Sequence, residues 1–258
     1  MPEQAYSELL AAQGYARQAT GWDLGFIDAA HIGPPLPWDY EAEAKDALQR
    51  AKSAVDLGTG GGEVLSRIAK AVRFARLTAT EQWPPNARLA YDCLRPLGIA
   101  TVWCEAEGTR TPFRPASFDL VLDRHEALNP EEVHRVLQPG GTLLTQQCTP
   151  DTWPELHRYF DRAARFPDHY RGYADALRAL GYAVELDRHD FETRFASLSE
   201  LVQMLIVAPW YVPDLDVEKD IEALRRLEAE LSDGGSGIVL REGRYLLRAV
   251  KPGWRGNS

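Results

Sequence analysis

The segment Val55-Asp56-Leu57-Gly58-Thr59-Gly60-Gly61-Gly62-Glu63 constrains the fold of this chain more than any other. A short apolar run enters a glycine-dense loop, and a helical pattern leaves it, with Val64, Leu65, Ile68, Ala69 and Val72 at helical spacing. Glycines let the backbone turn tightly and come close to a ligand that a β-carbon would exclude. Two phosphate-binding versions of such a loop are disfavoured. No Gly-Lys-Ser/Thr follows, so the Walker pattern fails. Counting Gly58 and Gly60 as the first glycines of a dinucleotide fingerprint puts Glu63 at the third, and a carboxylate there sits badly beside a pyrophosphate.

The pattern continues on both sides of the loop. Strand-like runs at 54–57, 76–80, 100–104, 118–122 and 142–146 alternate with helical patterns at 63–73, 86–94 and 130–137. Such alternation predicts a parallel sheet covered on both faces. Beyond Gln147 the spacing predicts a helix at 170–180, a strand at 182–191, and helices at 198–207 and 216–231. A hairpin is expected to pair 238–240 with 245–249 around Glu242-Gly243. The longest helix pattern is read as a solvated face with its apolar stripe packed inward. Residues 1–45 read as an added helical lid.

Length and charge narrow the function. At roughly 150 residues per domain, 258 residues allow one large domain or two small ones. Thirty-eight acidic against 29 basic residues, a net charge of −9, disfavours non-specific nucleic-acid binding, which needs clustered cations. No apolar run approaches the ~20 residues that span a bilayer, and the start lacks a signal-peptide pattern. Cys93, Cys104 and Cys148 have no metal-ligand spacing, so neither a metal site nor a disulfide frame is expected. These features predict a cytoplasmic protein with no membrane or nucleic-acid partner.

Asp56 to Glu63 resembles the first motif of the class I S-adenosylmethionine-dependent methyltransferases, and later segments resemble further motifs in the family's order. Glu81 ends the second strand (Thr78-Ala79-Thr80-Glu81), Glu105-Ala106-Glu107-Gly108 follows the third, and Phe118-Asp119-Leu120-Val121-Leu122 forms the fourth. Leu137-Gln138-Pro139-Gly140-Gly141 precedes the fifth. The resemblance spans about residues 53–147. It implies a Rossmann-like, doubly wound α/β fold: a seven-strand, mostly parallel sheet with helices on both faces and an antiparallel C-terminal hairpin. Residues 1–258 then form one domain, with a lid at 1–45, a cofactor core at 53–147 and substrate elements at 148–258.

The resemblance also implies S-adenosylmethionine as cofactor. Asp56, Gly58, Thr59, Gly60, Gly62 and Glu63 would face its amino-acid and ribose parts, where acidic groups suit a cationic α-amino group. Glu63 alternatively just favours the positive end of its helix. Glu81 would accept from both ribose hydroxyls, as a carboxylate's two oxygens allow. Gln82 would border the adenine, Glu107 would accept from its exocyclic amine and Gly108 would offer backbone to its ring. The choice between Glu105 and Glu107 stays open.

The loop Asp123-Arg124-His125-Glu126-Ala127-Leu128-Asn129 would face the methyl group. His125 is the candidate base for a hydroxyl acceptor, since imidazole titrates near neutrality, or else it holds the loop in place. Arg124 either borders the cofactor, steers an acidic substrate, or pairs with Asp123 or Glu126; the pairing is preferred. Trp22, Phe26, Trp38, Tyr40, Gln146, Gln147 and Pro209-Trp210-Tyr211 are candidates for the acceptor wall. Singly, each aromatic is more simply read as packing. The expected function is methyl transfer to a small molecule or peptide side chain, with oxygen slightly favoured. The alternatives are a cofactor-binding protein without transfer and, more remotely, a nicotinamide oxidoreductase. A nucleic-acid methyltransferase fits less well, because no Asn-Pro-Pro-Tyr motif ends the fourth strand. Oligomeric state is not legible.

Overall fold

The computed structural model describes residues 3–22, 24–105 and 110–253. In chain order the elements are α1 (Glu3–Ala16), β1 (Ala29–Ile32), α2 (Tyr40–Arg50), β2 (Ala54–Leu57), α3 (Glu63–Ala71), β3 (Leu77–Glu81), α4 (Pro84–Leu94) and β4 (Ala100–Trp103). Then follow β5 (Phe118–Arg124), α5 (Pro130–Val136), β6 (Leu137–Cys148), α6 (His169–Ala179), β7 (Ala183–Phe195), α7 (Leu198–Val207), α8 (Val217–Leu231) and β8 (Ile238–Val250). All eight strands join one sheet, in the order β1-β7-β8-β6-β5-β2-β3-β4. The ladders from β6 across to β4 are parallel, whereas β6–β8, β7–β8 and β1–β7 are antiparallel. This is the expected Rossmann-like α/β class. β2 to β7 fall on the expected strand runs, the two runs expected as a hairpin are one strand, β8, and β1 adds an edge strand.

The strands are buried on both faces, as their near-continuous apolar runs require. In β5, Leu120 and Leu122 pack with α2, α3 and α4, whereas Val121 turns to the core shared with α5 and α6. A third core lies beyond the sheet's end, where Leu9 of α1 meets Leu201 and Leu205 of α7, Leu224 and Leu227 of α8, and Ile238 and Leu240 of β8. The N-terminal segment is tied to this cap. Val217 N–H donates to Gln13 Oε1 at 2.7 Å, and Arg17 pairs with Asp216 at 3.1 Å.

The C-terminal antiparallel pair differs from expectation in one respect. Glu242-Gly243 is not a turn: β8 runs straight through it for 13 residues and pairs along its length with β7. Gly243 is needed for close approach. A β-carbon there would collide with Thr149 and lie 2.7 Å from Asp190 Oδ1, and its carbonyl accepts from Thr149 N–H at 2.9 Å. Glycine inside a strand marks such a contact as readily as it marks a turn. α5 ends at Val136, and Pro139-Gly140-Gly141 lies inside β6 instead of forming a turn before it; the β5–β6 register shifts between Phe118 and Leu120. Among the described residues, no helix is long and apolar enough to cross a membrane.

Candidate functional site

Strand order reverses direction between β2 and β5, and at the carboxyl ends of these strands lies a cavity of about 960 Å³. Ligand pockets usually span about 300–1,000 Å³, so this one has room for two small molecules side by side. Its wall divides into an acidic end over β2 and β3 and a basic, aromatic end over β5, β6 and β8.

The acidic end is built on the glycine loop. Gly58 and Gly60 take φ of 61° and 64°, a region costly for any other residue type. The loop is stitched to the end of β3: Gly58 N–H donates to Thr80 Oγ1 at 3.1 Å, Thr59 N–H to the Thr80 carbonyl at 2.8 Å and Gly60 N–H to Glu81 Oε2 at 2.8 Å. A β-carbon at Gly58 would run into Glu126, and one at Gly60 would lie 2.5 Å from Trp22 Cδ1. Glu81 also accepts from Trp83 N–H at 2.8 Å, through Oε1. Burial raises its proton affinity, and these backbone donors oppose the rise. Asp56 is buried more completely, which pushes its pKa up to about 7 despite the nearby Arg124 charge.

The other end centres on the residue that follows β5. His125 has a left-handed backbone (φ 65°), held by its N–H donating to the Gln146 carbonyl at 2.9 Å. Strained backbone of this kind concentrates at functional sites. Its ring has Nδ1 3.7 Å from Cys148 Sγ and Nε2 3.4 Å from Gln146 Nε2. The residue is exposed, and its ring lines the cavity wall. Desolvation, then the charges of Arg244 and Arg124, hold its pKa well below the ordinary histidine value, so the imidazole is neutral. Asp123 is fully buried beneath it. Its Oδ1 accepts from Thr145 Oγ1 at 2.9 Å and Gln147 Nε2 at 2.5 Å, and desolvation raises its pKa well above the carboxylate range.

The expected residues separate cleanly by position. Asp56, Gly58, Thr59, Gly60, Glu63, Glu81, Gln82, Arg124 and His125 line the cavity together. Gly62 is not in the lining; a β-carbon there would lie 3.0 Å from Leu94 Cγ, where α3 packs on α4. Glu107 and Gly108 lie outside the described residues, and Glu105 is exposed away from the lining. The preferred pairing of Arg124 with Asp123 or Glu126 is not made; among the described residues Arg124 has no ion pair. Asp123 is taken up by β6, and Glu126 folds over Gly58.

Of the aromatic candidates, Trp22, Tyr40, Trp210 and Tyr211 reach the wall, with Trp22 and Trp210 rings 5.5 Å apart. Trp38 is buried instead, donating Nε1–H to Gln146 Oε1 at 2.8 Å, and Phe26 packs on Tyr15. Sequence reasoning missed Cys148, Trp153, Met204, Glu242 and Arg244, all of which line the cavity. β8 carries four charges, Arg241, Glu242, Arg244 and Arg248, and the sequence alone does not tell which of them reach the cavity.

Comparison with known proteins agrees with this geometry. Residues 55–145 match the family model described as a methyltransferase domain. The chain is 23% identical over 146 residues to the ubiquinone/menaquinone biosynthesis C-methyltransferase UbiE of Psychromonas ingrahamii, covering 52% of this chain and 57% of that protein. It therefore spans just over half the length of this curated relative. A solved protein of Bacillus halodurans C-125, named as a methyltransferase, superposes with a TM-score of 0.60 at 20% identity, over 82% of this chain and 98% of that one. The (4+2)-cyclase SpnF superposes with a TM-score of 0.56 at 17% identity, over 97% of this chain and 96% of that one. These two likenesses concern the fold.

Proposed function

We propose, on the match of residues 55–145 to a methyltransferase domain, that this chain is a class I methyltransferase that transfers a methyl group from S-adenosylmethionine to a small organic acceptor. The observation that carries the cofactor assignment is the acidic cradle. At Gly58 and Gly60 the side chains of Glu126 and Trp22 pack where a β-carbon would stand, so both positions require glycine and the loop lies close under the cavity wall. Asp56, Glu63 and Glu81 surround that backbone with carboxylates, which suit a ligand carrying both a sulfonium and an ammonium. Phosphate ligands would be repelled by the same set. Asp56, Thr59 and Glu63 would hold the amino-acid part, Glu81 the ribose hydroxyls, and Gln82 and Trp83 the edge of the base.

When bound, S-adenosylmethionine supplies an electrophilic methyl beside sulfur. The protein's own work is then alignment, exclusion of water and handling of the acceptor's proton. Trp22 and Trp210 close the wall over the loop, and the remaining cavity accepts a small molecule more readily than a folded protein surface. His125 is neutral and lines the acceptor end, which fits a base that takes a hydroxyl proton at Nε2 or Nδ1; oxygen acceptors are therefore slightly favoured. A carbon acceptor made nucleophilic by an adjacent hydroxyl would use the same proton transfer.

The test is to incubate the protein with S-adenosylmethionine and a panel of phenolic and enolic acceptors, and to measure S-adenosylhomocysteine. Binding in the micromolar range, roughly −8 kcal/mol, with product formed is the expected result. Binding without product from any acceptor would favour a cofactor-binding protein that does not transfer methyl. Calorimetric preference for NAD would overturn the cofactor assignment.

A further inference from the structure

We propose that the acceptor end of the cavity is an anion subsite, in which Arg124 and Arg244 together take up a carboxylate group on the acceptor while α7 and its following loop hold an apolar body. The inference rests on the methyltransferase reading only in calling the ligand the acceptor.

Its basis is two guanidinium groups on the cavity wall, Arg124 without an ion pair among the described residues and Arg244 with N–H groups beyond those its partners take. Arg124 and Arg244 reach the same wall from opposite directions, one at the end of β5 and the other from β8, opposite Cys148 at the end of β6. Both act electrostatically on His125, which lines the same wall. Of the carboxylates nearby, Asp56 acts on Arg124 electrostatically without pairing with it, and the others are engaged elsewhere. Asp123 is held by Thr145 and Gln147, Glu126 folds over Gly58, and Glu41 pairs with Arg67 at 2.7 Å and Lys45 at 3.8 Å. Glu242 pairs with Arg244 but also accepts from the Thr193 hydroxyl. Arg244 is thus fixed rather than consumed. It lies over the Phe191 ring at 5.7 Å, and its hydrogen bond to the Gly243 carbonyl at 3.3 Å leaves further N–H groups over.

Arg124 lines the cavity with no ion pair among the described residues, and desolvation lowers its pKa. A desolvated guanidinium gains most from an anion delivered into the same cavity, because charge-assisted hydrogen bonds there are stronger than in water. The surface beside it, from Met204, Val207 and Tyr211, is apolar and aromatic. The matching ligand is a small amphipathic carboxylate.

The experiment titrates benzoate, cinnamate and octanoate, each against its primary amide, into the protein with and without saturating S-adenosylhomocysteine. At least one acid is expected to bind roughly tenfold more tightly than its amide. That preference should fall to nearly one in Arg124→Gln and in the charge-balanced Glu242→Gln/Arg244→Gln. S-adenosylhomocysteine affinity and the far-ultraviolet spectrum of the latter, both unchanged, show that it is folded. Equal binding of acids and amides, no binding by any member, or a preference that survives both variants would overturn the subsite. Failure of S-adenosylhomocysteine itself to bind would instead break the cofactor assignment, while the acid-over-amide preference of the free protein still decides the subsite.

Discussion

The two ends of the cavity are built by opposite means. The proposed cofactor end is drawn mostly from a short contiguous stretch, Asp56 to Asn86, and its contacts are largely backbone groups set by glycine geometry and by the Glu81 carboxylate. The acceptor end collects side chains from Arg124, Cys148, Trp153, Met204, Trp210 and Arg244, spread over more than a hundred positions. One end is acidic, the other rich in guanidinium and aromatic groups. A ligand that never changes can be recognised by backbone shape, which few sequences specify. A ligand that differs between relatives is recognised by side chains on variable elements, each replaceable alone.

Variants should therefore strike one end and spare the other. The largest effect is expected from Gly60→Val. A side chain at φ 64° that must also displace Trp22 should weaken S-adenosylmethionine binding by more than about 100-fold by calorimetry, with the fold retained by circular dichroism. Next, His125→Ala should lower turnover about 100-fold with the best acceptor while cofactor affinity stays within about threefold. A turnover loss below about fivefold would make His125 a holder of the loop and not the base. Glu81→Ala follows, with about tenfold weaker cofactor binding, because Gly60 and Trp83 also lose their acceptor.

The smallest and most diagnostic effect is a pH dependence. Burial holds Asp56 near pKa 7 in the free protein, so it is mostly protonated at pH 6 and mostly ionised at pH 8. A cationic ligand binds the ionised form better, which means affinity should rise with pH across that window, by no more than about tenfold. Asp56→Asn should flatten the rise. An unchanged slope would move the cation away from Asp56.

The contrast between the ends also explains what was legible. Strand, loop and helix at residues 54–72 declare themselves by local pattern, and Glu81 is found by its place at a strand end. Gly62 misled because the sequence does not distinguish a glycine that bares backbone to a ligand from one that lets Leu94 pack. Gly243 misled for the same reason: its neighbour Thr149 is remote in sequence. Arg244 was invisible as a site residue because its value comes from lying opposite Cys148 across an antiparallel ladder, a register that no local period encodes. Arg124 was seen, but its solitude depends on where Asp123 and Glu126 turn, which packing decides.

The unbroken course of β8 has a consequence for the order in which the molecule can be completed. β7 has only β1 and β8 as sheet neighbours, and β8 follows every other strand in the chain. During synthesis, residues 54–148 can assemble through βα units that are close in sequence, and the cofactor loop can form with them. Arg244, Glu242 and the ladder that joins the cap core to the sheet arrive only with β8. A nascent chain would thus acquire the means to hold its cofactor before it acquires the means to choose what to modify.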